Sequence, residues 1–116
     1  MLQLILHGIG DYFLQTDNQA LNKKKCSWAC FKHCFTYSLP FLLIGTPLQV
    51  LFIFLTHFII DRTNLVAWLN AYKNGIRTID NFGFSPERPF VITFWLYVIM
   101  DNLLHIICNY SILTYL

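Results

Sequence analysis

Six residues of this chain stand in three pairs of equal separation: His7 with Asp11, His57 with Asp61, and Asp101 with His105. Residues four apart lie one above the other on a helix. Three helices would therefore each present an imidazole and a carboxylate along one stripe. Polar residues extend the stripes, Gln15 four after Asp11 and Asn109 four after His105, and Gln49 lies eight before His57. The remaining histidine, His33, has Tyr37 four residues later. Imidazole nitrogens with carboxylate oxygens suit zinc, iron, manganese or nickel. An ion with an open position lowers the pKa of bound water and makes a nucleophile at neutral pH, so the expected chemistry is metal-dependent hydrolysis. The predicted metal ligands are His7, Asp11, His57, Asp61, Asp101 and His105, with His33, Gln15, Tyr37 and Asn109 supporting them and zinc, manganese or iron as the cofactor. A carboxylate outside the ligand set would serve as general base. No H-E-x-x-H motif is present.

Two other readings use the same residues. Asp and His chains within helices mark proton and ion routes, as in a channel or transporter. Polar side chains also bond across helices in purely structural networks, contributing about 0.6 kcal/mol each on average.

The elements that must carry these residues are apolar. The 116 residues are 56% hydrophobic, 17% aromatic and only 12% charged, with a mean hydropathy of +0.51. That excludes a disordered chain, a collagen-like chain and an ordinary soluble globule, and points to a single integral membrane domain over residues 1–116. A net charge of +2 gives no reason to expect nucleic acid. The predicted fold is all-α: four transmembrane helices in a compact bundle, at about residues 1–16, 27–44, 47–61 and 89–116. The first span is short for a hydrocarbon core of about 30 Å. Pro40 predicts a kink in the second, and Pro47 suits the first turn of the third. Leu65, Trp68, Leu69 and Tyr72 recur at helical spacing in a short amphipathic helix over about 64–74, lying in the membrane interface and stopped at Gly75. The stretch from there to Arg88 reads as a loop. With no basic region before the apolar start, no removable signal peptide is expected.

Charge orients the bundle. Lys23, Lys24, Lys25, Lys32, Arg62, Lys73, Arg77 and Arg88 all fall in or beside the first and third connections. The positive-inside rule makes that side cytoplasmic in the plasma (inner) membrane, with both termini outside. Helices one and three then read His before Asp, and helix four, running the other way, reads Asp before His. All three carboxylates sit on the cytoplasmic side of their imidazoles, as convergence on one site would require. A site at that depth meets lipid head groups, so the expected partners are the bilayer and a lipid or lipid-linked substrate, and a pore would require a homo-oligomer. Lys23-Lys24-Lys25 is read as an orientation signal touching anionic lipid. Cys26, Cys30 and Cys34 recur every four residues, a stripe of small packing residues, with a metal site or an acylated cysteine as the other readings.

Taken together, His7-x-x-x-Asp11-Tyr-x-x-Gln15, the lysine-bearing connection Asn22–Lys25, His33 with Tyr37, Thr56-His57-Phe-x-x-Asp61-Arg62 and Asp101-x-x-x-His105 resemble a family of small bacterial and phage membrane proteins of unknown function. The resemblance covers nearly the whole chain. It implies a membrane fold and this choice of polar residues, and it carries no activity. The chain is also distantly similar to membrane metal-dependent hydrolases, which use histidine and aspartate within helices.

Overall fold

A computed structural model describes all residues from Met1 to Leu116. The chain is helical and has no strand: α1 (Leu2–Gly8), α2 (Asp17–Asn22), α3 (Ser27–Ser38), α4 (Pro47–Arg62), α5 (Leu65–Asn74) and α6 (Phe90–Tyr115). A π-helical turn, Ile9–Phe13, continues α1, and a 3-10 segment, Leu39–Leu43, continues α3. The expected four membrane-crossing helices are not found. Only α6, with 26 residues, is long and apolar enough to cross on its own. The stretch 1–16 is divided between a seven-residue helix and the π turn. Over 27–44 the α-helix tightens to 3-10 around Pro40, which has no backbone N–H to give. Helix α4 has 16 residues, about 24 Å at about 1.5 Å per residue.

The chain divides into two compact units, Met1–Thr63 with His105–Leu116, and Asn64–Leu104. In the first, two helices begin with the same device. Thr16 Oγ1 accepts from Gln19 N while Gln19 Oε1 accepts from Thr16 N, both at 3.2 Å. Thr46 and Gln49 repeat this reciprocal cap at α4, with Pro47 in the first turn. Gln49 Nε2 also donates to Leu113 O at 3.4 Å, tying α4 to the end of α6. Leu6, Tyr37, Phe41, Val50 and Ile53 form the apolar core, with Ile44, Ile112 and Leu113 against it. Of the cysteine stripe, Cys30 and Cys34 are buried, while Cys26 is exposed just before α3.

The second unit is organised by asparagines. Helix α5 buries Val66, Ala67, Asn70 and Ala71, and ends at Gly75 in the left-handed conformation, with Ile76 N bonded to Ala71 O at 2.8 Å. The stretch read as a loop is pinned down. Asn70 and Asn74 donate to Phe82 O and Gly83 O, Asn81 donates to Ser85 O and Arg88 O, and Thr93 Oγ1 donates to Asn81 Oδ1 at 2.9 Å. Phe82 packs on Tyr97, with ring centroids 5.0 Å apart.

The outer faces of both units are apolar. Phe13, Trp28, Leu43, Leu51 and Ile59 in the first unit, and Trp68, Phe90, Val91 and Trp95 in the second, are exposed.

One glycine sets the approach of α1 to α3. A Cβ on Gly10 would collide with the Tyr37 ring, whereas one on Gly8 would meet nothing within 4 Å. Gly10→Ala is expected to destabilise the protein by about 1–3 kcal/mol through overpacking. Gly8→Ala is expected to be neutral or slightly stabilising, since alanine is the better helix former. Thermal unfolding of the two variants beside the parent checks the contrast.

Candidate metal centre

Four side-chain atoms meet inside the first unit. His33 Nε2 and His57 Nε2 are 3.0 Å apart. Asp61 Oδ2 lies 3.0 Å from the first and 3.1 Å from the second. Asp11 Oδ1 lies 3.2 and 3.4 Å from the same two nitrogens. All four residues are buried. They arrive from three elements: Asp11 from the π turn, His33 from α3, and His57 and Asp61 from successive turns of α4. A π turn inside a helix is rare and frequent at functional sites. Here it is closed by Leu14 N bonded to Ile9 O at 3.0 Å, five residues back.

These contacts cannot all be hydrogen bonds. A neutral imidazole carries one hydrogen, and an ionised carboxylate carries none. Two ring nitrogens therefore supply at most two hydrogens to the five contacts linking the four atoms. Neither Asp11 Oδ1 nor Asp61 Oδ2 has a partner with hydrogen-bond geometry. Lone pairs facing one another in a dry site are costly. A cation among them would turn every one of these contacts into shared ligation. Ligand atoms held at about 2.0–2.2 Å from one transition ion lie about 3.0–3.5 Å from their neighbours in tetrahedral or octahedral arrangements. The group is thus within metal-binding distance, with four protein atoms mutually within 4.8 Å.

A surrounding set of side chains aims the inner four. Asp61 Oδ1 is 3.0 Å from His105 Nε2 on α6, so one oxygen of this carboxylate faces inward and the other is held from outside. Asp11 is treated likewise, its Oδ2 lying 3.6 Å from His7 Nε2. The tautomer of His7 follows from its far side. Asn109 Nδ2 donates to the Tyr37 hydroxyl at 2.7 Å. That hydroxyl is left to donate its own hydrogen to His7 Nδ1, also at 2.7 Å, which puts the His7 hydrogen on Nε2, facing Asp11. The His57 ring stacks with Tyr37 at a centroid distance of 3.6 Å and with His105 at 4.0 Å. The outer nitrogens of His33 and His57 are buried without a hydrogen-bond partner, where a metal-bound imidazole commonly has one.

The expected residues are therefore distributed unevenly. Asp11, His57, Asp61 and His33 supply the inner atoms, and His7, His105, Tyr37 and Asn109 stand around them. Gln15 turns back along the chain, its Nε2 donating to Asp11 O at 3.2 Å. Asp101, half-buried one turn before His105 on α6, belongs to the second unit and lies outside this four-residue group.

Lys23 is the residue that spacing did not reveal. The three lysines read together as an orientation signal do three different things. Lys23 Nζ lies 3.0 Å from Asp61 Oδ2. Lys24 Nζ caps the C-terminal end of α4 through Asp61 O at 3.2 Å and Thr63 O at 2.8 Å. Lys25 is exposed. Arg62 returns the contact by donating to Lys24 O and, through Nε, to Ser27 Oγ at 3.1 Å. The α2–α3 connection is thereby locked onto the end of α4, which is what brings Lys23 to the site. The available signal was its position, one residue beyond a Thr16–Gln19 capped helix too short to carry the chain away.

Fold and site define an all-helical protein with a buried histidine–aspartate group able to hold a metal ion. The chain belongs to the DUF3307 family, described as a protein of unknown function, which it matches over residues 1–115. No curated protein and no solved structure matches it.

Tyr37→Phe tests the surrounding set. It removes one oxygen and leaves His7 Nδ1 and Asn109 Nδ2 without their shared partner in a buried place. A loss of about 1–3 kcal/mol is expected, read as a lowered midpoint in chemical denaturation with an unchanged slope.

Proposed function

We propose that this chain is a membrane protein in which Asp11, His33, His57 and Asp61 hold a divalent transition ion, and that the centre supports hydrolysis of a lipid or lipid-linked substrate. The observation that carries the metal reading is the set of five contacts at 3.0–3.4 Å among four inward atoms that hold too few hydrogens to satisfy them. Bound there, such an ion supplies Lewis acidity and a water of lowered pKa. The chain's own residues do the rest. His105 and His7 hold the outer carboxylate oxygens and so fix the inner ones, as partners of ligating groups commonly do. In this reading His33 is a ligand, while His7 and His105 position carboxylates.

The membrane reading is supported by α6 and by the reversal of the usual polarity. Phe13, Leu43, Trp28, Phe90 and Trp95 face outward while His7, His33, His57, Asp61, His105 and Asn109 are buried. Water disfavours such an exterior and hydrocarbon accepts it. The end carrying Lys23, Lys24, Lys25 and Arg62 would face the cytoplasm.

One observation favours a second reading, a proton route. Titratable groups touch in an unbroken series, His105 to Asp61, to His33 and His57, to Asp11, to His7 and on to Tyr37.

Elemental analysis separates the two. Purified protein is expected to carry close to one zinc, manganese or iron per chain. Asp11→Asn and His33→Ala should lower that content at least tenfold, His105→Gln should keep most of it, and chelator should lower the melting temperature of the parent. A metal-free protein whose melting ignores chelator would defeat the metal reading. The proton route then requires a pH-dependent liposome flux that Asp61→Asn abolishes.

A further inference from the structure

The second unit holds a cleft that the candidate centre does not use. It encloses about 360 Å³, within the usual size of a ligand site. Its apolar walls are Phe84, Pro89, Ile92 and Leu96, and its polar edge is Asn74, Arg88 and Thr93. Pro89, Ile92 and Leu96 are exposed, so hydrocarbon side chains line an open recess. The last residue of α5 and the first two turns of α6 meet there, and α6 is the helix long and apolar enough to cross a membrane. The recess thus lies near one end of that helix.

Arg88 is the one charged residue of the lining. Its backbone is held from both sides. Its N–H donates to Ser85 O at 3.0 Å, and its carbonyl accepts from Asn81 Nδ2 at 3.2 Å. Asn81 Oδ1 in turn accepts from Thr93 Oγ1 at 2.9 Å, which fastens this turn to α6. The guanidinium, by contrast, is exposed and has no hydrogen-bond or ion-pair partner in the chain. The amide of Asn74 is already donated to Gly83 O at 3.1 Å. Beside the recess, the Lys73 ammonium stands 5.7 Å from the centre of the Phe84 ring. Glu87 is exposed and takes no part in the lining.

A hydrocarbon wall ending at an unpaired arginine matches an apolar chain that ends in an anion. The planar fork of arginine binds such oxygens in pairs. In the membrane reading, the connection carrying Lys73, Arg77 and Arg88 faces the cytoplasm, and acidic phospholipids lie in that leaflet. Resting on that membrane reading and independent of the metal, we propose that this cleft binds an acidic phospholipid, with an acyl chain along Phe84, Ile92 and Leu96 and the acidic head group on Arg88.

Delipidated protein in a neutral detergent is titrated with short-chain phosphatidylglycerol, phosphatidylcholine or dodecanoate, and bound lipid is counted by native mass spectrometry. Phosphatidylcholine carries the same phosphate with a compensating ammonium, and dodecanoate carries the chain with a carboxylate alone. One phosphatidylglycerol per chain is expected, bound at least tenfold more tightly than either of the others. Arg88→Gln should reduce that preference at least fivefold, with Arg88→Lys keeping most of it. Leu96→Trp, which fills the recess from an exposed wall, should weaken both phospholipids at an unchanged melting temperature. Phosphatidylglycerol with a photoreactive acyl chain should crosslink within residues 84–96. Equal binding of the two phospholipids, an Arg88→Gln protein that keeps the preference, or crosslinks only outside 84–96 overturns the proposal. Dodecanoate bound as tightly as phosphatidylglycerol also overturns it, giving the recess to fatty acids. Dimers that Leu96→Trp abolishes overturn it in favour of a second copy of the chain. A protein that stays monomeric in detergent-free buffer and ignores vesicles of either phospholipid instead removes the membrane reading, an outcome distinct from the others.

Discussion

Two carboxylates buried side by side set the terms for the rest of the first unit. Asp61 and Asp11 have lost nearly all contact with water, and their inward oxygens belong to one group of atoms within 4.8 Å of one another. Removing an ionised carboxylate from water costs several kcal/mol even after relaxation, and a second one nearby adds repulsion. Burial on these terms requires that each oxygen be answered. The fold brings imidazoles and a lysine to Asp61 from four directions, His33 from α3, His57 from α4, His105 from α6 and Lys23 from the α2–α3 connection, yet the inward oxygens of both carboxylates keep no hydrogen-bond partner. The short helices, the π turn and the locked connection all serve to deliver a partner to one of these two side chains.

The same constraint accounts for the polarity of the molecule. A unit whose interior is spent on imidazoles, carboxylates and amides has little room inside for hydrocarbon. Its apolar core is a small cluster around Tyr37, Phe41 and Ile53. The larger share of its leucine, phenylalanine and tryptophan faces outward. In water, that arrangement would forgo much of the hydrophobic driving force. On the membrane reading proposed above, cohesion would come from packing and from polar bonds between helices, which this interior contains.

Much of the site was legible because it is written in helical spacing. His57 and Asp61 are four apart on an unbroken α-helix and both turn inward, as the period requires. His7 and Asp11 have the same spacing, and the π turn between them leaves them 3.6 Å apart. His33, with Tyr37 four residues on, reads from the sequence as a supporting residue, and spacing has no way to rank it higher. Whether His33 or His105 contributes an inner atom depends on how three helices are rotated against one another. Lys23 was hidden for a different reason. A lysine triplet in a connection reads as an orientation signal, and only the lock between Lys24, Arg62 and the end of α4 separates one lysine from its neighbours. The number of crossing helices was overcounted because hydropathy sums over residues regardless of conformation. Gly8 and Gly10 around a π turn, and Pro40 opening a 3-10 segment, divide apolar stretches into pieces too short to cross alone. The helix α2 carried its own signal in Thr16-x-x-Gln19, a capping box outside any apolar run.

The two carboxylates are not equivalent. Asp61 is the better held. Its Oδ1 meets His105, its Oδ2 meets His33, His57 and Lys23, and its backbone carbonyl accepts from Lys24. It lies in the last turn of α4, whose end Lys24 caps. Asp11 has the two inner imidazoles, a longer contact to His7 and no lysine. It sits on a π turn whose backbone bonds reach five residues back, and Gly10 beside it lies against the Tyr37 ring. Both carboxylates thus meet the same pair of histidines, Asp61 with more supporting contacts than Asp11.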